Sequence, residues 1–258
     1  MRKGKEIGWM KQDCVLGWDA AWTPQGSGAW CVARGGELLV HEPCLKGEAL
    51  LKALRELLET YAPRLAAVDF PLAVSGVRGW REANLQTTRA FSRYRCPVHS
   101  PSPRMPGIWG EEVMKVFLDH GYSLGTSAGL PEKAVVEVYP HTVLVWKYRL
   151  LERYPYKVGR AGKYWPETPP AERKKRLLLI YRQMWQDLGG GAFPEMGQAP
   201  TLARFKALED LLDALLCREA AQGILAGDFA AYGDEDAAIW NPKADRLRPL
   251  PAVKKNSA

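Results

Sequence analysis

Apolar positions change their spacing along the chain, and each spacing predicts a different element. Two short apolar runs, residues 14–22 and 29–34, are joined by a turn rich in proline and glycine, which is typical of adjacent antiparallel strands. A glycine pair then marks a second turn, and residues 37–42 form a third strand. The first part of the chain is therefore predicted to be an antiparallel meander of three strands.

Helical and strand patterns alternate in the next part of the chain. Leucines recur at helical spacing over residues 47–61, and a short apolar run bounded by prolines follows at 65–72. A helix over 111–119 and a strand over 134–140 repeat this order. A strand that follows a crossover helix is expected to lie parallel to the strand before it. Further helical patterns cover residues 81–94, 142–152, 171–187 and 202–224.

These elements predict an α/β fold, with a single domain over residues 1–243. Its mixed sheet is expected to have five strands, three antiparallel and then two parallel crossovers, with helices on both faces. A basic segment rich in aromatic residues, around 150–195, is predicted to be a helical insertion. Residues 244–258 are polar and are predicted to be a frayed C-terminal tail.

Composition narrows the class of protein. The chain has 258 residues, of which 47% are apolar and 25% charged, as in ordinary soluble globular proteins. No apolar run approaches the ~20 residues of a membrane-spanning helix, and the charged N-terminus has no apolar signal segment. The five cysteines are scattered and form no CxxC pair, which argues against a zinc knuckle or redox dithiol. We therefore expect a cytoplasmic protein with no membrane partner.

The net charge of +7 is unevenly distributed. Residues 144–182 have a net charge of +8 and seven Trp or Tyr residues, and residues 78–104 have a net charge of +5. Residues 207–240 have a net charge of −7. An acidic centre beside basic flanks indicates a polyanionic substrate and a cation site, with aromatic rings available for base stacking. A solvated basic face over a small aromatic core is the alternative.

Several carboxylates occupy positions that are otherwise apolar. Asp19 and Asp69 end apolar strands, and Glu137 lies inside one. A charged group in a buried strand costs several kcal/mol unless it is paired or bound to a metal. Asp210 and Asp213, three residues apart, share one face of a helix whose leucines pack in the core. Together these acids predict a site where strand and helix carboxylates meet.

Carboxylate oxygens are the ligands that Mg²⁺ and Mn²⁺ prefer. Two such ions ~3.5–4 Å apart can hold the attacking and leaving oxygens of a phosphodiester. Each acid also has a structural alternative. Asp19 can cap a turn, Asp69 can end a strand, Asp210 can pair with Lys206 on a wet helix face, and Glu137 can pair with an arginine.

The chain resembles the RNase H-like superfamily in five segments that follow one another in the same order. They are VLGWDAAWTPQGSGAWCVA (15–33), AAVDFPLAV (66–74), VVEVYPHTVL (135–144), EDLLDALLCREAA (209–221) and AAIWNPK (237–243). More narrowly, they resemble a domain of unknown function described as a predicted nuclease of that fold, and the first and fourth segments also resemble resolvase-type nucleases.

This resemblance implies metal-dependent phosphodiester hydrolysis. Asp19 would bridge two Mg²⁺ or Mn²⁺ ions, Asp69 would match a frequent Glu or Asp, and Asp213 with Asp210 would close the site. Glu137 matches an acid of the family. The Arg-x-x-Asp element expected of the family is replaced by Arg81-Glu82-Ala83-Asn84.

Arginines after the Asp69 strand are candidate ligands for substrate phosphate. Arg78, Arg81 and Arg89 are the candidates, because arginine binds phosphate through two hydrogen bonds. Ordinary surface charge is the alternative.

We therefore expect a nuclease that binds DNA or RNA. A nucleic-acid-binding module with little catalysis is one alternative, and a phosphotransferase of the actin-like or sugar-kinase type is another. The chain has no P-loop motif. The sequence leaves the oligomeric state open, a homodimer included.

Overall fold

The computed structural model describes residues 13–101 and 108–248. Two of the sequence predictions above concern residues outside these ranges and stay predictions: the absence of an N-terminal signal segment, and the frayed tail over residues 249–258. The prolines of residues 96–107 predict a loop, and its part over 102–107 also lies outside the described residues.

The described residues form a mixed sheet of eight strands in an α/β fold, which confirms the predicted class. Seven strands lie in the order β3-β2-β1-β4-β6-β8-β7, and β5 pairs with β6. The β1–β2, β2–β3 and β7–β8 pairs are antiparallel, and β1–β4, β4–β6, β5–β6 and β6–β8 are parallel. The strands are β1 (Cys14–Asp19), β2 (Ala29–Arg34), β3 (Glu37–Pro43), β4 (Leu65–Val68), β5 (Ser123–Leu124), β6 (Ala134–Val138), β7 (Phe229–Gly233) and β8 (Ala238–Pro242).

The expected count of five strands is wrong. The strand β5 has two residues, too few to leave a pattern in the sequence. The hairpin β7–β8 lies in an acidic stretch, and its two apolar runs, residues 229–232 and 237–240, are only four residues long. Tertiary contacts also hold this hairpin in the sheet. For example, buried Asn241 accepts a hydrogen bond of 2.7 Å from Thr142 Oγ1. Leu247, in the predicted tail, is also buried.

Seven α-helices are described. They are α1 (Gly47–Tyr61), α2 (Glu82–Phe91), α3 (Ile108–Asp119), α4 (Pro140–Lys147), α5 (Ala161–Tyr164), α6 (Pro170–Asp187) and α7 (Leu202–Leu225). The helix predicted over 142–152 ends early at Lys147, and Arg149 adopts a left-handed φ of 53°. None of the described helices is long and apolar enough to cross a membrane.

The helices cover both faces of the sheet. Alternate residues of β1 separate the two cores: Leu16 and Trp18 pack with α1 and α3, and Val15 packs with α4, α6 and α7. Helix α7 crosses β1 at very close range. A Cβ atom on Gly17 would lie 2.3 Å from the carbonyl oxygen of Ala214, so only glycine admits the helix at this distance.

Candidate functional site

Asp19 and Asp69 lie side by side at the carboxyl ends of two adjacent parallel strands. The last paired residues of β1 and β4 are Trp18 and Val68, and each aspartate follows directly. The amide of Asp69 donates a hydrogen bond of 2.8 Å to the carbonyl of Trp18. The two acids are therefore neighbours, as the sequence predicts.

The alternation of β1 also selects the face on which Asp19 lies. Because Leu16 and Trp18 fill the α1 and α3 face, Gly17 and Asp19 face α7. The close approach at Gly17 brings α7 against this part of the strand, and Asp213 immediately precedes the contacting residue Ala214. Strand and helix carboxylates thus meet as the sequence predicts.

Three acids of α7 are buried at this place. Asp213 is 0% exposed, Asp210 1% and Glu209 3%. Asp213 accepts a hydrogen bond of 2.5 Å from the hydroxyl of Tyr156 through Oδ1, and its Oδ2 pairs with Lys157 Nζ. Lys157 and Tyr156 belong to the basic aromatic segment predicted to be an insertion.

Glu209 is a site residue that sequence reasoning missed. Its Oε2 accepts a hydrogen bond of 2.6 Å from the amide of Val158, and Lys157 Nζ lies 3.6 Å from Oε1. Lys206 Nζ contacts the same Oε1 at 3.1 Å and also pairs with Asp210. The sequence does contain a signal for Glu209 as a site residue, because Glu209 directly precedes Asp210 and lies one turn before Asp213.

The pair of Asp210 and Lys206 was the structural alternative for Asp210, and it is formed. This face of the helix is not exposed to solvent, however, because Asp210 is almost fully buried. Its Oδ2 atom is buried and has no hydrogen-bond partner among the described residues.

The proximity of the carboxylates changes their acidity. Burial and the negative charge of Asp213 raise the pKa of Asp69 to about 7. Burial, then Asp213, raises the pKa of Asp19 well above its ordinary value, and Lys157 opposes this rise. Burial raises the pKa of Asp213 as well, although Lys157 and Tyr156 stabilise its ionised form. Burial and mutual repulsion thus disfavour the fully ionised form of this group of acids.

A cleft of about 1210 Å³ borders this group of acids, although Asp19, Asp210 and Asp213 are not among the described residues that line it. Asp69 and Glu209 lie on its wall, together with the cationic residues Lys157 and Lys206. Its apolar lining includes Trp22, Phe70, Val98, Tyr139 and Ile239. The cleft is large enough for several nucleotide-sized groups.

Glu137 lines the same cleft but belongs to a different group of contacts. Ala134, Val136 and Val138 pack on the α7 face, so Glu137 points to the other face of β6. Its two oxygens accept hydrogen bonds of 2.5 and 2.8 Å from the guanidinium of Arg81. The arginine alternative for Glu137 is thus the observed arrangement, and Arg81 is engaged there.

The remaining arginine candidates lie elsewhere. Arg78 and Arg89 are exposed, and neither is among the described residues that line the cleft. Arg81 Nε also donates a hydrogen bond of 3.0 Å to Asn84 Oδ1, so Asn84 holds the arginine in the element where the family was expected to have Asp.

No family model matches this chain, and no curated protein matches it. Within residues 13–101 and 108–248, no three His, Cys, Asp or Glu side chains are already arranged around one metal position.

Proposed function

We propose that this protein is a metal-dependent nuclease that hydrolyses phosphodiester bonds of DNA or RNA. The observation behind the proposal is the meeting of Asp19, Asp69 and buried Asp213 at the carboxyl ends of two parallel strands, where Asp69 lines a large cleft. Ligand sites of open α/β sheets lie outside the carboxyl ends of their strands.

The order of the first strands supports an RNase H-like relationship. Three antiparallel strands are followed by two parallel crossover strands, β4 and β6, in the order β3-β2-β1-β4-β6. Helix α7 then returns over β1 and adds its carboxylates to those of the strands. The additional strands β8 and β7 extend the sheet beyond β6, on the side away from the three acids of the site.

The donor set fits a divalent cation of the Mg²⁺ or Mn²⁺ class. Its ligands would be carboxylate oxygens only, and burial, followed by the concentrated negative charge, raises the pKa values of Asp19 and Asp69. The buried Oδ2 of Asp210 also lacks a partner among the described residues. Asp19, Asp69 and Asp213, with Asp210, would hold one or two ions. Ions bound there would stabilise the charge that develops on the phosphate during hydrolysis.

Residues of the chain itself have three roles in this proposal. Tyr156 and Lys157 fix the orientation of the Asp213 carboxylate. Lys157 and Lys206 reduce the negative potential that would otherwise repel a polyanion from the cleft. Half-buried aromatic rings such as Trp22 provide surfaces on which bases can stack.

The test is cleavage of labelled single-stranded, duplex and branched DNA and RNA in Mg²⁺, in Mn²⁺ and in EDTA. We expect cleavage of at least one substrate that requires a divalent cation and is lost in Asp19→Asn. If no substrate is cut in either metal by a folded wild-type protein, the proposal is wrong.

A nucleic-acid-binding module is the second candidate, and one observation favours it. Lys157 places an ammonium group within the carboxylate cluster, so part of its negative charge is balanced without any metal. This candidate predicts that nucleic acid binds equally well in EDTA and in Mg²⁺, and that Asp19→Asn binds like the wild type without any cleavage.

A further inference from the structure

Some cationic side chains of the cleft are not paired with carboxylates of the described residues. Lys157 and Lys206 are paired with acids of α7. Arg153 and Arg160 line the same cleft, and within the described part of the chain neither forms an ion pair with an acidic residue. Positive charge in the cleft is therefore unbalanced at these two arginines.

A buried histidine marks the centre of this cationic region. His141 is 4% exposed and also lines the cleft. The rings of Tyr139 and Tyr156 pack edge-on against it, with centroids 5.3 and 5.4 Å away. Burial, together with the charges of Lys157, Arg153 and other nearby bases, lowers the pKa of His141 well below its ordinary value. The imidazole is therefore neutral.

The contact with Arg153 fixes which nitrogen of this imidazole has the proton. The guanidinium of Arg153 contacts His141 Nε2, and a guanidinium can only donate a hydrogen bond. Nε2 is therefore the acceptor, and the proton lies on Nδ1. Nδ1 of His141 and Nε of Arg153 are both buried donors without an acceptor among the described residues. Unpaired buried donors are costly, and an oxygen-rich anion would satisfy them.

We propose that Arg153, Arg160 and His141 form a phosphate subsite, which takes a phosphate group of the bound nucleic acid beside the carboxylate cluster. Arginine suits this role because its planar fork matches phosphate oxygens. The apolar wall formed by Val98, Phe70 and their neighbours would take the attached sugar and base. This subsite rests on the proposed function for the identity of its ligand, and it replaces Arg81 as the main phosphate contact.

The group that this subsite would bind is a nucleotide phosphate, which can come from a nucleic-acid chain or from a free mononucleotide. The experiment measures binding in EDTA, where cleavage is absent. A fluorescent single-stranded oligonucleotide is titrated with the full chain, and adenosine 5′-monophosphate, adenosine and inorganic phosphate are tested as competitors. Arg153→Gln, Arg160→Gln and the double variant are compared with Arg55→Gln, an exposed arginine on α1 at the opposite face of the sheet.

We expect the double variant to bind the oligonucleotide at least roughly tenfold more weakly. Its log–log salt dependence should become shallower by about 0.7 for each phosphate that the variant no longer neutralises. The monophosphate should compete better than adenosine with the wild type, and equally poorly with the double variant. Arg55→Gln should behave as the wild type. Thermal unfolding of each variant confirms that binding is compared between folded proteins, and Arg160→Gln, at a half-buried position, is the variant with least risk to the fold.

Two results would overturn the subsite: unchanged binding in both single variants and the double variant, or an equal loss in Arg55→Gln. Each is independent of catalysis. Metal-dependent cleavage with normal binding by the arginine variants would leave the nuclease proposal intact and reject the subsite. Binding that depends on these arginines, without cleavage in any metal, would support the subsite and reject the nuclease proposal. Competition by the monophosphate as strong as that of the oligonucleotide itself would identify a free nucleotide as the ligand.

Discussion

The ammonium group of Lys157 pairs with the buried carboxylate of Asp213, although the two residues are 56 positions apart in the chain. Lys157 follows Tyr156, which binds the other oxygen of the same carboxylate. A segment predicted to be an insertion thus provides two contacts at the centre of the site. The fixed positive charge allows three neighbouring acids of α7 to be buried together, and its removal gives the first prediction.

Lys157→Met should destabilise the metal-free protein strongly. Removing one partner of a buried pair leaves an uncompensated charge on Asp213, which typically costs roughly 3–5 kcal/mol. Because a divalent cation would replace the missing charge, Mn²⁺ should raise the melting temperature of the variant more than that of the wild type. Thermal unfolding in EDTA and in Mn²⁺ checks this. A variant that Mn²⁺ stabilises no more than the wild type would argue against a cation site at these acids.

The stability of the metal-free protein should fall as the pH rises from about 5 to about 8. The folded-state pKa of Asp69 is about 7, against an ordinary value of 3.8. Between these values the folded protein retains a proton that the unfolded chain has lost, so raising the pH favours unfolding. Melting temperatures in EDTA across this range, for the wild type and for Asp69→Asn, measure the effect. The fall should be smaller in Asp69→Asn, and equal falls in both proteins would show that Asp69 titrates normally.

Gly17→Ala should destabilise the protein by displacing helix α7, which provides the buried acids of the site. The added Cβ would lie 2.3 Å from Ala214 O and 2.4 Å from Arg218 N, and both are backbone atoms that cannot rotate away. Helix α7 must shift, which should cost roughly 1–3 kcal/mol or more. Gly159→Ala is the matched control, because its Cβ would meet no atom within 4 Å. Chemical unfolding measures the free energy of unfolding of both variants. Equal stability of the two variants would contradict the close packing of α7 on β1.

Glu137→Gln should lower stability rather than act only on catalysis. Glu137 and Arg81 are a buried pair, with side chains 6% and 7% exposed, and the loss of one charge should cost roughly 3–5 kcal/mol. The exposed pair of Arg95 and Glu152 provides the control, since Glu152→Gln should change stability by no more than ~0.5 kcal/mol. If Glu137→Gln melts like the wild type and only loses activity, Glu137 acts in catalysis as the sequence suggested.

Local patterns predicted the elements that form the floor of the site. Apolar runs that end in an acid indicate where Asp19 and Asp69 lie, because strand ends and side-chain alternation are set by neighbouring residues. Asp213 was found through helical spacing. Tyr156 and Lys157 were not found, since their segment shows only basic and aromatic composition, and its path to α7 depends on tertiary contacts. The two-residue strand β5 was missed because so short an element has no periodicity.

The central claim is that the carboxylates at the carboxyl end of β1 hydrolyse a phosphodiester with a divalent cation. Asp13 directly precedes this strand and Asp19 is its last residue, and within the described part of the chain Asp13 forms a surface pair of 2.8 Å with Arg64. The decisive measurement is the cleavage rate of a labelled nucleic acid in Mg²⁺ and in Mn²⁺ by the wild type, Asp19→Asn and Asp13→Asn. We predict cleavage by the wild type and by Asp13→Asn, with a rate at least about 100-fold lower for Asp19→Asn, or ~2.7 kcal/mol of transition-state stabilisation. Equal rates for Asp19→Asn and Asp13→Asn, or cleavage that persists in EDTA, would contradict the account.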